Sequence, residues 1–71
     1  MDQYVQVALD TIRDGIRFTF RQASRQRVGY YHERRHRFVI LTDDEEAILS
    51  LSRKSENHVR TLPDSNYPRR P

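Results

Sequence analysis

From Ile16 to Arg21 apolar and polar residues alternate without a break, with Ile16, Phe18 and Phe20 set against Arg17, Thr19 and Arg21. Successive side chains on an extended strand point to opposite faces, so this pattern specifies a strand with one buried and one solvated side. Such a strand needs sheet neighbours and a covering layer, and a short chain has to supply both itself.

The flanking sequence offers them. Upstream, Val5, Ala8, Leu9 and Ile12 recur at helical spacing behind a potential cap at Asp2, and Gly15 stands ready to end the helix after Arg13 and Asp14. Downstream, Gln22–Gln26 has loop polarity, and Arg27–Glu33 reads as an aromatic-rich strand in which Gly29 marks a bulge or a close backbone approach. Glu33–His36 turns the chain into Arg37–Thr42, the most apolar run and so a central strand. Asp43–Glu46 turns it again into Ala47–Ser52. Strand starts at intervals of roughly ten residues predict a meander. Ser55 caps a closing helix through Val59 and Leu62, which Pro63 ends. The expected fold is α+β: an N-terminal helix packed on a four-stranded antiparallel meander sheet, with a short C-terminal helix or turn. It occupies residues 1–62 as a single domain, and the turn and breaker residues of 63–71 read as a flexible tail.

Composition narrows the function classes. At 71 residues there is room for one domain, with a thin core. Three Phe and four Tyr, with the Val, Ile and Leu cluster, argue against disorder. The absence of cysteine excludes a disulfide framework and cysteine zinc sites. No apolar run approaches the ~20 residues of a membrane span, and the N-terminus lacks the basic-then-apolar order of a signal peptide. The expectation is a cytoplasmic protein with no membrane partner; homo-oligomerisation stays open.

Charge is distributed unevenly. Eight arginines lie between Arg13 and Arg37 against only Asp14 and Glu33, and the run Asp43–Glu46 is wholly acidic. Arg69 and Arg70 add two more cations near the C-terminus, and Lys54 is the sole lysine. Arginine presents a planar fork that matches phosphate or carboxylate and stacks on bases. With the first helix over the side carrying Ile16, Phe18 and Phe20, the other face displays Arg17, Thr19 and Arg21. Arg27, Tyr31, Arg37 and either Ser50 and Ser52 or their alternates would join them there. Such a face suits RNA or single strands, arginine pairing with phosphates and tyrosine stacking on bases. The candidate nucleic-acid-binding residues are Arg17, Arg21, Arg27, Arg34, Arg35 and Arg37. The competing explanation is a solvated face whose long arginine stems cover apolar surface and discourage edge pairing.

Signs of chemistry are sparser. In Tyr30-Tyr31-His32 one tyrosine belongs to the core and the other to the surface, with His32 on the side of Tyr30; together they offer a stacking ring and an acid or base. His32, His36 and His58 match no metal-ligand spacing, so neither metal nor cofactor is expected. Ser50, Ser52, Arg53 and Lys54 place hydroxyls beside two cations at a strand end, where a phosphate could sit. Phosphate-binding glycine loops and nucleophile elbows are absent from the sequence. The acidic run reads as a solvated hairpin turn.

Val28-Gly-Tyr-Tyr-His-Glu-Arg-Arg-His-Arg-Phe-Val-Ile-Leu-Thr-Asp-Asp-Glu-Glu-Ala-Ile-Leu-Ser-Leu-Ser-Arg53, followed by Val59-Arg-Thr-Leu-Pro63, resembles the C-terminal sheet of a bacterial RNase-toxin superfamily. That superfamily includes the RelE and ParE relatives and the tRNase tips of contact-dependent toxins. The likeness covers about half of the chain and is one of strand pattern. It implies RNA bound and cut on the sheet face by a metal-independent RNase, with Tyr31, His32, Ser52 and Arg53 as the catalytic positions. The chain has one N-terminal helix where that superfamily often has two, and a binding-only descendant fits equally. From the residues themselves, the expectation is a small basic protein that binds nucleic acid, RNA ahead of DNA, with catalysis the lesser part. The alternative is a protein-interaction module, such as a phage-type inhibitor or accessory factor, docking on an acidic protein surface.

Overall fold

A computed structural model describes residues 3–68. Helix α1 (Gln3–Asp14) leads into strands β1 (Ile16–Gln22), β2 (Arg25–His32), β3 (Arg37–Leu41) and β4 (Ile48–Arg53), then helix α2 (Glu56–Arg60). The four strands form one antiparallel sheet in the order β1-β2-β3-β4, so the chain has the α+β meander architecture its patterning predicts. The proposed cap Asp2 and the arginines Arg69 and Arg70 lie outside the described residues.

The passage from α1 into β1 is abrupt because Gly15 allows it. Its N–H donates to the Thr11 carbonyl at 2.7 Å, and any side chain there would collide with that oxygen and crowd the Tyr31 backbone. Between β1 and β2 the connection is tighter than the polar stretch 22–26 suggests. Ala23 and Ser24 alone form the turn, both with positive φ (48° and 66°), the two-residue hairpin geometry that matches strand twist. Ser55 caps α2 as expected, its Oγ accepting from His58 N–H at 3.2 Å.

The layering differs from expectation. Helix α1 does not cover the phenylalanine side of β1; it packs on the opposite face. There Ala8 and Ile12 meet Val28, Tyr30, Val39, Leu41 and Leu51. The phenylalanine face is covered by the C-terminal segment, where Val59, Leu62 and Tyr67 close over Ile16, Phe18, Phe20, Tyr31, Phe38 and Ile40. The reason lies in β3. Phe38, Val39, Ile40 and Leu41 are all buried, so the centre of the sheet is apolar on both sides and needs two covers. Strand β1, at an edge, reports on one side only.

Residues 63–68, expected as part of a loose tail, are docked along β1. Arg21 N–H donates to Pro63 O (2.8 Å), Thr19 N–H to Asn66 Oδ1 (2.7 Å), and Asn66 N–H to Thr19 O (3.1 Å). Tyr67 is only 5% exposed, set edge-on to Phe18 with ring centroids 5.2 Å apart. The ring removes more apolar area from water than the surrounding turn residues suggest, and the backbone pairing satisfies the outer edge of β1. Gly29 is a close-approach glycine: a Cβ there would lie 2.7 Å from Phe18 Cζ and 2.9 Å from Phe38 Cε1.

Candidate anion-binding end of the sheet

Helix α1 covers the middle of the arginine-bearing face, and the expected platform divides: by register Arg17, Arg21 and Arg37 stay on the helix side of the sheet, while Arg27, Tyr31, Ser50 and Ser52 fall on the phenylalanine side. Arg17 and Arg21 do share one side of β1, but each already has a carboxylate. Arg17 binds Glu45 through Nη2 (3.2 Å) and Nε (3.5 Å), and Arg21 Nε lies 3.2 Å from Asp64. Arg27 falls on the phenylalanine side, paired with Phe20 in register, and its Nε donates to Gln22 Oε1 at 3.4 Å. Tyr31, placed on the platform by sequence, is fully buried in the phenylalanine core.

Glu45 is the carboxylate that engages Arg17. The residue sits in the β3–β4 turn with φ of 60°, which swings its carboxylate back to accept from Tyr30 Oη (2.6 Å) as well as Arg17. These bonds, Tyr30's first and Arg17's second, hold the Glu45 carboxyl below the usual glutamate range. Burial, reinforced by the same carboxylate, pushes the Tyr30 hydroxyl up. A ligand anion reaching Arg17 must displace a carboxylate with two donors. The acidic run is the exposed hairpin turn its composition predicts, with Glu45 turned back onto the sheet; Asp44 Oδ1 orders it further by accepting from Thr42 Oγ1 (2.5 Å) and Glu46 N–H (3.0 Å).

The remaining cations converge elsewhere. His32, Arg37 and Arg53 are direct cross-strand neighbours on β2, β3 and β4 at one end of the sheet. Arg34 and Arg35 project from the adjoining turn, and Lys54 follows Arg53 and donates its N–H to His36 O at 3.0 Å. Among the described residues, none of Arg34, Arg35, Arg37, Arg53 and Lys54 takes part in an ion pair. Like charges directly opposite on neighbouring strands destabilise a sheet, so the Arg37–Arg53 pairing is held against its own repulsion. Arg13, at the end of α1, belongs instead to Asp10 (3.5 Å) and Asp14 (2.9 Å). Hydrogen bonding from Arg13 is the main cause of the lowered Asp14 carboxyl, which also feels the charges of His32 and Arg35. Between α1 and the β2–β3 turn runs a small cleft lined by Asp10, Asp14, His32, Arg35 and Arg37.

The two histidines of this end have different partners. Arg35 N–H donates to His32 Nδ1 at 3.2 Å, so the neutral His32 ring carries its proton on Nε2. The buried Tyr31 hydroxyl donates to Lys54 O at 2.8 Å and lies 3.0 Å from His36 Nδ1, a hydrogen bond whose donor depends on the imidazole tautomer. His36 is exposed, with φ of 56°, and lines an open pocket with Arg53, Lys54 and Ser55.

Of the four positions implied by the toxin resemblance, Tyr31 and His32 therefore point to opposite faces. Ser52 is half-buried opposite Phe38 on the phenylalanine side, and Arg53 is exposed at the end of β4. They do not form one centre. His36, weighed in sequence only as a metal ligand, sits in the β2–β3 turn, where strand register brings the end of β4 beside it. No group of three or more histidine or acidic side chains among the described residues could hold a metal ion. No helix among them is long and apolar enough to cross a membrane. No protein-family model matches the chain, and no curated protein or solved structure shows significant similarity to it.

Proposed function

We propose that this chain binds nucleic acid, RNA ahead of DNA, through the cation-rich end of its sheet. Arg34, Arg35 and Arg37 act from the β2–β3 side, and Arg53 and Lys54 from the end of β4. The observation that carries the reading is the cross-strand adjacency of Arg37 and Arg53, neither of which makes an ion pair among the described residues, so a bound polyanion would relieve their mutual repulsion. Strands ~4.8 Å apart set Arg37 of β3 directly beside Arg53 of β4, with Arg34 and Arg35 in the adjoining turn. That reach suits a few phosphates of a single strand and is far from the ~34 Å half-site spacing of paired duplex readers. The exposed side of α1 carries Tyr4, Val5 and Leu9, which is not the surface of a groove-binding helix. Unpaired guanidinium planes also stack on splayed bases, which favours RNA loops and ends.

Fluorescence anisotropy with a labelled single-stranded oligoribonucleotide tests this. Arg35→Ser with Arg37→Ser should weaken binding roughly tenfold or more. Arg17→Ser with Arg21→Ser should leave it within about twofold, because those side chains are already occupied. Affinity that follows Arg17 and Arg21 instead would place the ligand elsewhere. The second reading, a module docking on an acidic protein surface, draws on the same cations and on the exposed Leu9 and Leu49, 45% and 47% accessible. It predicts a stoichiometric protein, and no nucleic acid, copurifying with the chain.

A further inference from the structure

The two edges of the sheet differ. The outer edge of β1 is occupied by the chain's own C-terminal segment, through the bonds of Arg21 and Thr19 to Pro63 and Asn66. Strand β4, at the other edge, has β3 as its one neighbour in the sheet. We infer that this second edge is the interface with another copy of the chain, the two β4 strands pairing antiparallel about Leu51 into a continuous eight-stranded sheet. The inference stands apart from the nucleic-acid reading, which is tested at Arg35 and Arg37.

Register fixes which backbone groups are available. Lys54 N–H donates to His36 O at 3.0 Å, and direction alternates along a strand, so Ser52 and Ser50 also address β3. The N–H and C=O groups of Leu51 and Arg53 therefore point outward, on the side where β4 has no strand neighbour. Natural edges are commonly blunted by lysine, proline or an inward-pointing charge. From Ala47 to Ser52 the sequence has none of these, and Ile48 and Leu49 are 39% and 47% exposed. The irregularity opposite Ile40 and Leu41 lies at the start of β4 and leaves Ser50 to Arg53 in regular ladder.

Charge selects the occupant. The run Asp43–Glu46 immediately precedes β4, and Arg53 and Lys54 end it, so the strand is acidic at one end and basic at the other. Asp43, Glu46, Arg53 and Lys54 are exposed, and none of them makes an ion pair among the described residues. An antiparallel copy brings the basic end of each strand alongside the acidic turn of the other, and the two-fold axis makes that contact twice. A parallel copy would set like charges together. Because Arg53 and Lys54 serve both readings, a polyanion should weaken the self-pairing. One short strand a side covers less than the roughly 1,200–2,000 Å² of stable complexes, so association is weak and reversible.

Sedimentation equilibrium of the full chain from about 5 to 500 µM, with amide hydrogen exchange followed over the same range, tests the pairing. The chain should pass from monomer to dimer, and exchange at the Leu51 and Arg53 amides should slow by about threefold or more. Glu46→Lys or Lys54→Glu alone should weaken dimerisation about fivefold or more, and the two together should restore most of it, since the exchanged charges again oppose each other. Circular dichroism of each variant at the lowest concentration separates lost pairing from lost fold. A chain that is monomeric at about 500 µM overturns the inference and leaves the edge to a strand of another protein. A dimer in which the Leu51 and Arg53 amides exchange at the monomer rate also overturns it, moving the contact elsewhere, as to the exposed Leu9 of α1. Dimerisation unaffected by both single charge changes would overturn the antiparallel arrangement.

Discussion

Replacing Gly29 by alanine offers a sharp test of the packing that organises this domain. The new methyl group would lie 2.7 and 2.8 Å from two atoms of the Phe18 ring and 2.9 Å from Phe38. Ordinary contact begins near 3.4 Å, so Phe18 must retreat by roughly 0.7 Å. It has little room, because the rings of Phe20, Phe38 and Tyr67 stand 5.8, 5.8 and 5.2 Å from it, centroid to centroid. Overpacking of this kind costs about 1–3 kcal/mol, against which the lower chain entropy of alanine in the unfolded state returns about 0.4–1 kcal/mol. A net loss of about 1–2 kcal/mol is expected, which in a domain this small lowers Tm by roughly 5–15 °C. Thermal unfolding followed by circular dichroism reads the shift directly. Phe18→Leu, costly alone, should partly relieve Gly29→Ala, so the double variant should be more stable than the sum of the single changes by about 0.5 kcal/mol or more. A neutral Gly29→Ala, or strict additivity with Phe18→Leu, would show that the ring does not lie over the glycine.

Further outcomes follow from the charge layout and the turns. If the proposed site engages its five cations, which make no ion pair among the described residues, log affinity should fall against log salt with a slope near about −3.5 for a single strand, made shallower by about 1.4 in the Arg35→Ser, Arg37→Ser variant. A salt titration in which that slope is unchanged would remove those two side chains from the interface. Glu45 has a lower proton affinity folded than unfolded, so its contact with Tyr30 and Arg17 stabilises above the ordinary glutamate range and is lost as pH falls through the depressed folded value. Glu45→Gln should therefore lower Tm at pH 7 and flatten its decline below about pH 5, and an unaltered acid limb would contradict that contact. Ala23→Asn combined with Ser24→Gly should raise stability by about 1 kcal/mol, since both positions have positive φ; a loss of stability would argue against this turn geometry.

Much of the architecture is legible in the sequence because side-chain periodicity reports the backbone directly. The helix, the four strands, their order and the Ser55 cap all follow from spacing. The β1–β2 turn escapes because Ala23 and Ser24 lack the Asn-Gly chemistry that usually announces two residues with positive φ. The choice of covered face escapes for another reason: alternation in an edge strand says that one side is buried, but not by which element. The clue is the unbroken Phe38–Leu41 run, whose burial on both sides demands a second cover. The C-terminal segment is hidden by its own composition, in which Pro, Asp, Ser and Asn suggest looseness while a single Tyr67 supplies the packing. Clustering in sequence does not reveal that Arg17 and Arg21 have carboxylate partners, which lie 28 and 43 positions further along. The neighbours of His36, Arg53 and Lys54, appear only once strand register brings them beside it.

The seating of Tyr67 against Phe18 and Tyr31 has a consequence for biogenesis. On a ribosome the meander emerges first, with its aromatic side exposed and its first strand lacking an outer neighbour. Closure waits for residue 67 to clear the exit tunnel, so folding completes after most of the domain has been translated.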